Sequence, residues 1–249
     1  MGSLISLIKI SGHYLDDDAL LRRFAEAVAG REEQLVIVHG GGIEITRLQE
    51  RLNIEPTYVD GLRVTDAQSL SLVEMVLCGS VNKRLVRHLL NAGVDAQGLS
   101  GVDRGLIRAR QMRHESVDMQ FTGSVKSVRG EVLFQLLELG VTPVVAPVSA
   151  GTDSNFNLNA DPVAGALAAA IGADSVVFIS NVSGVLMDNE LVERLSEVEA
   201  RVLIANGTIY GGMIPKVKSA LDVLSSGVPK AIITDLDGWA GDVGTTFVK

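Results

Sequence analysis

Cys78 is the only cysteine in the chain, so no intrachain disulfide can form, and such usage suits a reducing compartment such as the cytoplasm. No apolar stretch approaches the roughly 20 residues of a membrane span. Basic residues are the minority, 22 against 30 acidic, and the net charge of −8 comes without any basic stripe of the kind a nucleic-acid surface needs. An anionic ligand must therefore be held locally. There is no Gly-x-x-x-x-Gly-Lys-Ser/Thr loop, and Ile45 stands where a Gly-x-Gly-x-x-Gly run begun at Gly40 and Gly42 needs its third glycine. The four histidines and one cysteine lack zinc-ligand spacing, so no metal site is read, and no serine sits in a Gly-x-Ser-x-Gly elbow. These absences exclude a P-loop, a dinucleotide fold, and the common hydrolase and zinc-enzyme patterns.

Short modification signals are also weak. Met1-Gly2 with Ser6 matches a myristoylation pattern, but a strand from Leu4 would tie the terminus down, and Met1-Gly2-Ser3 reads better as a cloning remnant. Asn181-Val182-Ser183 and Asn206-Gly207-Thr208 match the glycosylation acceptor without a preceding signal peptide.

What the sequence does have is 47% hydrophobic residues, a mean hydropathy of +0.28 and three segments suited to phosphate. The length and hydropathy allow a large core in one α/β domain or two closely joined lobes. The segments are Lys9-Ile10-Ser11-Gly12, His39-Gly40-Gly41-Gly42 and Gly211-Gly212-Met213-Ile214-Pro215-Lys216. Glycines let backbone N–H groups approach an anion, and the two lysines bring positive charge from opposite ends of the chain.

Periodicity predicts strands at 4–10, 34–38, 143–147, 176–180, 231–234 and 245–248. Helices are expected over 19–29, 43–52, 66–92, 130–139, 161–171, 196–206 and 216–225, with Thr65 or Asp66 capping the longest, Asp161 as an N-cap and Pro162 in the first helical position. Segments 105–112 and 122–128 suggest a hairpin whose Arg104, Arg108, Arg110 and Arg113 form a solvated face. Such alternation means a mostly parallel sheet with helices on both faces.

Taken in order, Lys9–Gly12, His39–Gly42, Gly61-Leu62-Arg63-Val64-Thr65-Asp66, Asn157-Leu158-Asn159-Ala160-Asp161 and Gly211–Lys216 resemble the amino-acid kinase superfamily, and within it the acetylglutamate kinases, over almost the whole chain. The resemblance implies a three-layer αβα sandwich with a mainly parallel sheet. It implies a lobe at 1–172 that holds the acetylated amino acid and a lobe at 173–249 that holds ATP, carried with Mg²⁺. The implied reaction phosphorylates the side-chain carboxylate of N-acetyl-L-glutamate, giving N-acetyl-L-glutamyl 5-phosphate and ADP in arginine synthesis.

Roles follow from the same resemblance. Lys9 and Lys216 are the catalytic cations and Asp161 orients them, while Gly41, Gly42, Arg63, Asn157 and Asn159 bind the amino-acid substrate. Gly12, Asn181, Val182, Ser183, Gly184, Val185, Leu186, Thr208, Ile209 and Tyr210 are assigned to the nucleotide and its phosphates. Arg63 alone reads either as a turn residue or as a planar fork for a carboxylate, and the second is preferred. A cation at the start of a helix, as Lys216 is, opposes the helix dipole, which favours a functional reading. Cys78 and Met75 read as packing residues. Ser11, His13 and Asn181 depart from the usual pattern, and His13 is kept off the catalytic set.

Two other readings are carried: a kinase for carrier-bound or N-acetylated aminoadipate in lysine synthesis, and a non-catalytic amino-acid-binding regulator. The long helix resembles the element across which family dimers form, so a homodimer is expected. A PII-type regulator binds some relatives, but nothing in the sequence identifies its docking surface. Arginine-inhibited relatives carry an extra helix ahead of the first strand, and with Lys9 already at the end of that strand the expectation is a dimer insensitive to arginine.

Overall fold

A computed structural model describes residues 4–249, so the Met1-Gly2-Ser3 motif lies outside the described residues. Eight strands form the central sheet in the spatial order Arg194–Ser196, Thr245–Val248, Lys230–Thr234, Ser175–Ile179, Ile5–Ile10, Gln34–His39, Thr142–Ala146 and Ala96–Ser100. Neighbours are parallel except where Lys230–Thr234 meets Thr245–Val248. The inner strands are apolar on both faces because helices cover both, so Ser175–Ile179 is buried at every position.

Side chains that alternate along those strands feed two cores. Leu7, Val36, Val38, Val145, Val176 and Phe178 pack with the helices Glu131–Glu138, Ala160–Ala170 and Met213–Ser225. Ile8, Ile10, Ile37, Val144, Val177 and Ile179 pack on the other face with Asp18–Ala29 and Asn82–Asn91. This is the expected three-layer αβα arrangement.

Beside the sheet, Ile107–Gln111, Thr122–Val128, Val148–Ala150 and Asn155–Leu158 close a four-stranded barrel. Its first two strands are the expected antiparallel pair, and Arg104, Arg108, Arg110 and Arg113 are exposed. A hairpin, Thr57–Val59 with Leu62–Val64, turns at Asp60-Gly61 with φ of 49° and 77°, the left-handed pair that a two-residue turn requires.

Most element ends differ by a residue or two from those expected, the edge strands Ala96–Ser100 and Arg194–Ser196 were not expected, and three helices differ in ways that bear on the site. The helix expected from Asp161 spans Ala160–Ala170, and its N-cap is Asn159, whose side chain accepts a bond from the Asp161 N–H at 3.0 Å. Pro162 is therefore the third helical residue, still within the turn whose N–H groups lack intrahelical partners. Capping by Asn159 leaves the Asp161 carboxylate free for other work. The helix expected from Lys216 starts at Met213, which puts Lys216 in fourth place. The long helix is capped by Asp66 as expected but widens into a π segment over Met75–Val81, between Ala67–Glu74 and Asn82–Asn91.

Candidate active site

Strands Ile5–Ile10, Gln34–His39 and Ser175–Ile179 end together at the carboxyl edge of the sheet, where an open α/β fold exposes its ligand crevice. Two cavities flank that edge. One of about 280 Å³ is lined by Lys9, Gly12, the Gly40–Gly42 turn, Arg63, Asn157 and Asn159. The other, of about 660 Å³, is lined by residues 181–186, Thr208, Ile209, Tyr210, Lys216 and Asp235. Every candidate residue from the sequence except Asp161 thus lines one cavity or the other, and Asp161 pairs with Lys9 of the smaller one.

The glycine turn is built from behind. Gly12 and Gly42 open helices, so their N–H groups have no intrahelical acceptor, and a Cβ on Gly12 would stand 3.7 Å from the Gly41 nitrogen. The two glycine segments therefore present adjacent N–H groups to one space. Gly41 has φ of 152°, and a Cβ there would come within 2.5 Å of Leu77 and 3.3 Å of Val81. Both contacts come from the π segment. Gly41→Ala is expected to destabilise the fold by about 1–3 kcal/mol through strain and overpacking. Denaturant unfolding checks this, and an unchanged midpoint would contradict it.

His39, fully buried, fixes the same turn. Its Nδ1 lies 2.8 Å from the Gly40 carbonyl and its Nε2 is 3.1 Å from Asn82 Nδ2, an amide that also donates to the Val144 carbonyl at 2.9 Å. Nδ1–H therefore donates and neutral Nε2 accepts. Burial is the main cause holding the His39 pKa down, to about 4. Because the unfolded value is higher, the stability this neutral imidazole contributes is complete above roughly pH 6.5 and is lost as pH falls toward 4, by about 3 kcal/mol. Against wild type, His39→Gln should flatten the pH dependence of the melting temperature across that window; parallel curves would show that His39 does not carry it.

Arg63 is the most enclosed cation of the site at 8% exposure. Its Nη1 donates to Gln49 Oε1, its Nη2 donates to Gly42 O at 3.1 Å and to Thr46 Oγ1 at 2.8 Å, and its Cζ sits 4.9 Å from the centre of the Tyr58 ring. Burial lowers its pKa, yet a guanidinium stays charged at any physiological pH. Among the described residues no carboxylate lies within 4.0 Å of it. Beside it, Asn157 Nδ2 donates to Thr65 Oγ1 at 3.0 Å, and Thr122 Oγ1 lies 3.1 Å from that same hydroxyl.

Lys9 Nζ lies 2.7 Å from Asp161 Oδ1, an ion pair whose alignment falls short of a hydrogen bond. The other carboxylate oxygen accepts from Ser219 Oγ at 3.4 Å, and Ser219 stands one helical turn beyond Lys216. Asp161 therefore touches Lys9 directly and the Lys216 helix through Ser219. Lys216 itself has no carboxylate within 4.0 Å among the described residues.

The larger cavity uses backbone more than side chains. Val185 and Ile209 bury their side chains in the core, and Val185 N donates to Thr245 Oγ1 at 2.8 Å. Gly184 has φ of 146°, with Leu191 and Thr245 each 2.6 Å from where a Cβ would be. Asn181, Leu186, Thr208 and Tyr210 are exposed, and His13 is exposed outside both linings.

Several contributors carry no sequence signal. Asp235 lines the larger cavity while capping Leu236–Ala240. Tyr14 is buried, and its hydroxyl donates to Ser180 O at 2.7 Å and accepts from Leu236 N at 3.3 Å, tying the helix after Gly12 to loops beside the larger cavity. Among the described residues no group of three or more His, Cys, Asp or Glu side chains could hold a metal ion, and no helix is long and apolar enough to cross a membrane.

Three basic groups, Lys9, Arg63 and Lys216, and two sets of free N–H donors facing a paired cavity are suited to holding anions at both ends of a group transfer. The family model for the amino acid kinase family matches residues 5–235. The chain belongs to the amino acid kinase family. This amino acid kinase is 51% identical to an acetylglutamate kinase of Roseiflexus castenholzii over 93% of its own length and 90% of the relative's. It is 42% identical to an acetylglutamate kinase of Methanopyrus kandleri, covering 97% of the chain and 99% of that relative. A crystal structure of a Streptococcus mutans protein superposes with a TM-score of 0.82 at 30% identity, covering 98% of each chain. An N-acetylglutamate synthase from Neisseria gonorrhoeae shares the fold, with a TM-score of 0.85 at 23% identity over 99% of this chain and 59% of that one.

Proposed function

We propose that this amino acid kinase transfers the γ-phosphoryl group of ATP to the side-chain carboxylate of N-acetyl-L-glutamate, releasing ADP and N-acetyl-L-glutamyl 5-phosphate. The observation that carries this reading is Arg63, a buried guanidinium without a counter-ion among the described residues, lining the cavity that Lys9 and the glycine turn also line. It calls for a ligand with a fixed carboxylate beside the group that reacts. Relatives named acetylglutamate kinase support that substrate.

The substrate lies in the smaller cavity with its α-carboxylate on Arg63, and Asn157 and Asn159 contact the rest of its polar groups. A side-chain carboxyl is ionised at neutral pH, so its attack needs no general base. One carboxylate oxygen forms a bond to the γ-phosphorus, the bond from that phosphorus to the β–γ bridging oxygen breaks, and the electron pair leaves with ADP. No proton moves. Repulsion between two anions is the barrier, and Lys9, Lys216 and the N–H groups of Gly12, Gly41 and Gly42 oppose it most where charge passes between oxygens. Asp161 holds Lys9 in position for this.

ATP occupies the larger cavity against residues 181–186 and 208–210. Mg²⁺ arrives bound to the nucleotide and neutralises phosphate charge. Residues 1–172 form the amino-acid lobe and 173–249 the nucleotide lobe, joined across the sheet where Ile5–Ile10 pairs with Ser175–Ile179. The enzyme works in the cytoplasm as a homodimer across its long helix, on which Leu90 is exposed and so is Met75, contrary to its reading from the sequence as a packing residue. A coupled ADP-release assay with N-acetylglutamate, N-acetylaminoadipate and free glutamate tests the substrate. N-acetylglutamate should give the highest kcat/KM, and a preference for either competitor would replace it.

A further inference from the structure

Gln49 is 1% exposed on the helix Gly42–Arg51 and touches Arg63 from the protein side. Its Oε1 accepts from Arg63 Nη1, while its Nε2 donates to Ser69 Oγ at 2.9 Å. Ser69 N in turn donates to the capping Asp66 at 2.7 Å. The amide cannot flip, because its NH₂ would then face a guanidinium that has only donors. Every other contact of the Arg63 fork is also uncharged: a carbonyl, a threonine hydroxyl and an aromatic face.

A carboxylate in place of that amide would fit the same space and bind the fork more strongly, since charge-assisted bonds are about twice as strong as neutral ones. The empty protein forgoes that. We propose that Gln49 is a positioning residue, and a determinant of affinity for the carboxylate substrate, that aims the Arg63 fork with a neutral acceptor so that its charge stays uncompensated until the ligand's carboxylate arrives. The inference rests on the reading of Arg63 as the clamp for the substrate's α-carboxylate. It adds that the groups around Arg63 are neutral by requirement, and that stability in the empty state gives way to ligand capture, as at many binding sites.

Gln49→Glu changes one atom and adds a competing charge. It should raise KM for N-acetylglutamate by roughly 10- to 100-fold, with a much smaller change in KM for ATP, and it should raise the melting temperature of the ligand-free protein. A purely structural Gln49 would lower the melting temperature or leave it unmoved. An analogue whose α-carboxylate is replaced by a carboxamide sharpens the test. Wild type should discriminate strongly against it, whereas Gln49→Glu should lose most of that discrimination. Gln49→Met, neutral and similar in volume, should raise KM for N-acetylglutamate far less than Gln49→Glu does.

Equal effects of Met and Glu, retained discrimination in Gln49→Glu, or failure of Gln49→Glu to fold without ligand would each overturn the proposal, because a counter-charge is expected to stabilise the empty site. Arg63→Lys separates the two levels. If Arg63→Lys raises KM and Gln49→Glu does not, only the role of Gln49 falls. If Arg63→Lys leaves KM unchanged, the clamp itself is wrong and the proposal falls with it.

Discussion

Lys216→Ala is expected to lower kcat by roughly 10²–10³ while KM for N-acetylglutamate changes little. Lys216 is the fourth residue of Met213–Ser225, close to the positive end of the helix dipole, and no carboxylate pairs with it among the described residues. Nothing local rewards a cation there. Its truncation should therefore leave the melting temperature unchanged or slightly higher. The ammonium lines the larger cavity and acts on charge that develops between nucleotide and acceptor, so its loss falls on the transition state rather than on ground-state binding of the amino acid. Steady-state kinetics with an unaltered kcat would remove it from the mechanism.

Arg63→Lys should fail at binding instead. Lysine keeps the charge but is a single point with three rotatable donors, whereas the present fork reaches Gln49 with one arm and Gly42 and Thr46 with the other, leaving its open edge set for a carboxylate. The expected result is a rise of roughly 10- to 100-fold in KM for N-acetylglutamate, with KM for ATP nearly constant. A parallel rise in both constants would mean that Arg63 shapes the whole site rather than one ligand's contact.

Six of the eight sheet strands were legible because burial writes them as apolar runs, as in Val36-Ile37-Val38 and Val176-Val177-Phe178, whereas the two edge strands, Ala96–Ser100 and Arg194–Ser196, carry no such run and were missed. The lysines, the glycine turn and Arg63 stand out in the sequence because each lies within a few residues of a helix or strand end, and the roles proposed for them come from the family resemblance. Asn159 and Asp161 show where that reading stops. Both are good capping residues two apart, and only the structure reveals that the first caps, which frees the second for Lys9.

Contacts across the fold were not legible. Asn82 meets His39 across 43 positions, and Tyr14 meets Ser180 across 166, so no local pattern marks either. The π segment keeps the apolar spacing of an ordinary helix while changing which residues face Gly41, and the hairpin at Asp60-Gly61 has strands of only three residues, too short for alternation to register. Gln49 was hidden for a related reason: a glutamine on an amphipathic helix reads as a surface residue until Arg63 is seen beside it.

ADP release alone does not distinguish transfer to a carboxylate from ATP hydrolysis. The most direct test is to run the enzyme with ATP, Mg²⁺ and N-acetylglutamate in the presence of hydroxylamine, which converts an acyl phosphate to a hydroxamate, and to quantify hydroxamate and ADP together. The expected result is one hydroxamate for each ADP, dependent on N-acetylglutamate and lost in parallel with kcat in Lys216→Ala. ADP formed without hydroxamate, or at the same rate without the amino acid, would contradict phosphoryl transfer to the substrate's carboxylate.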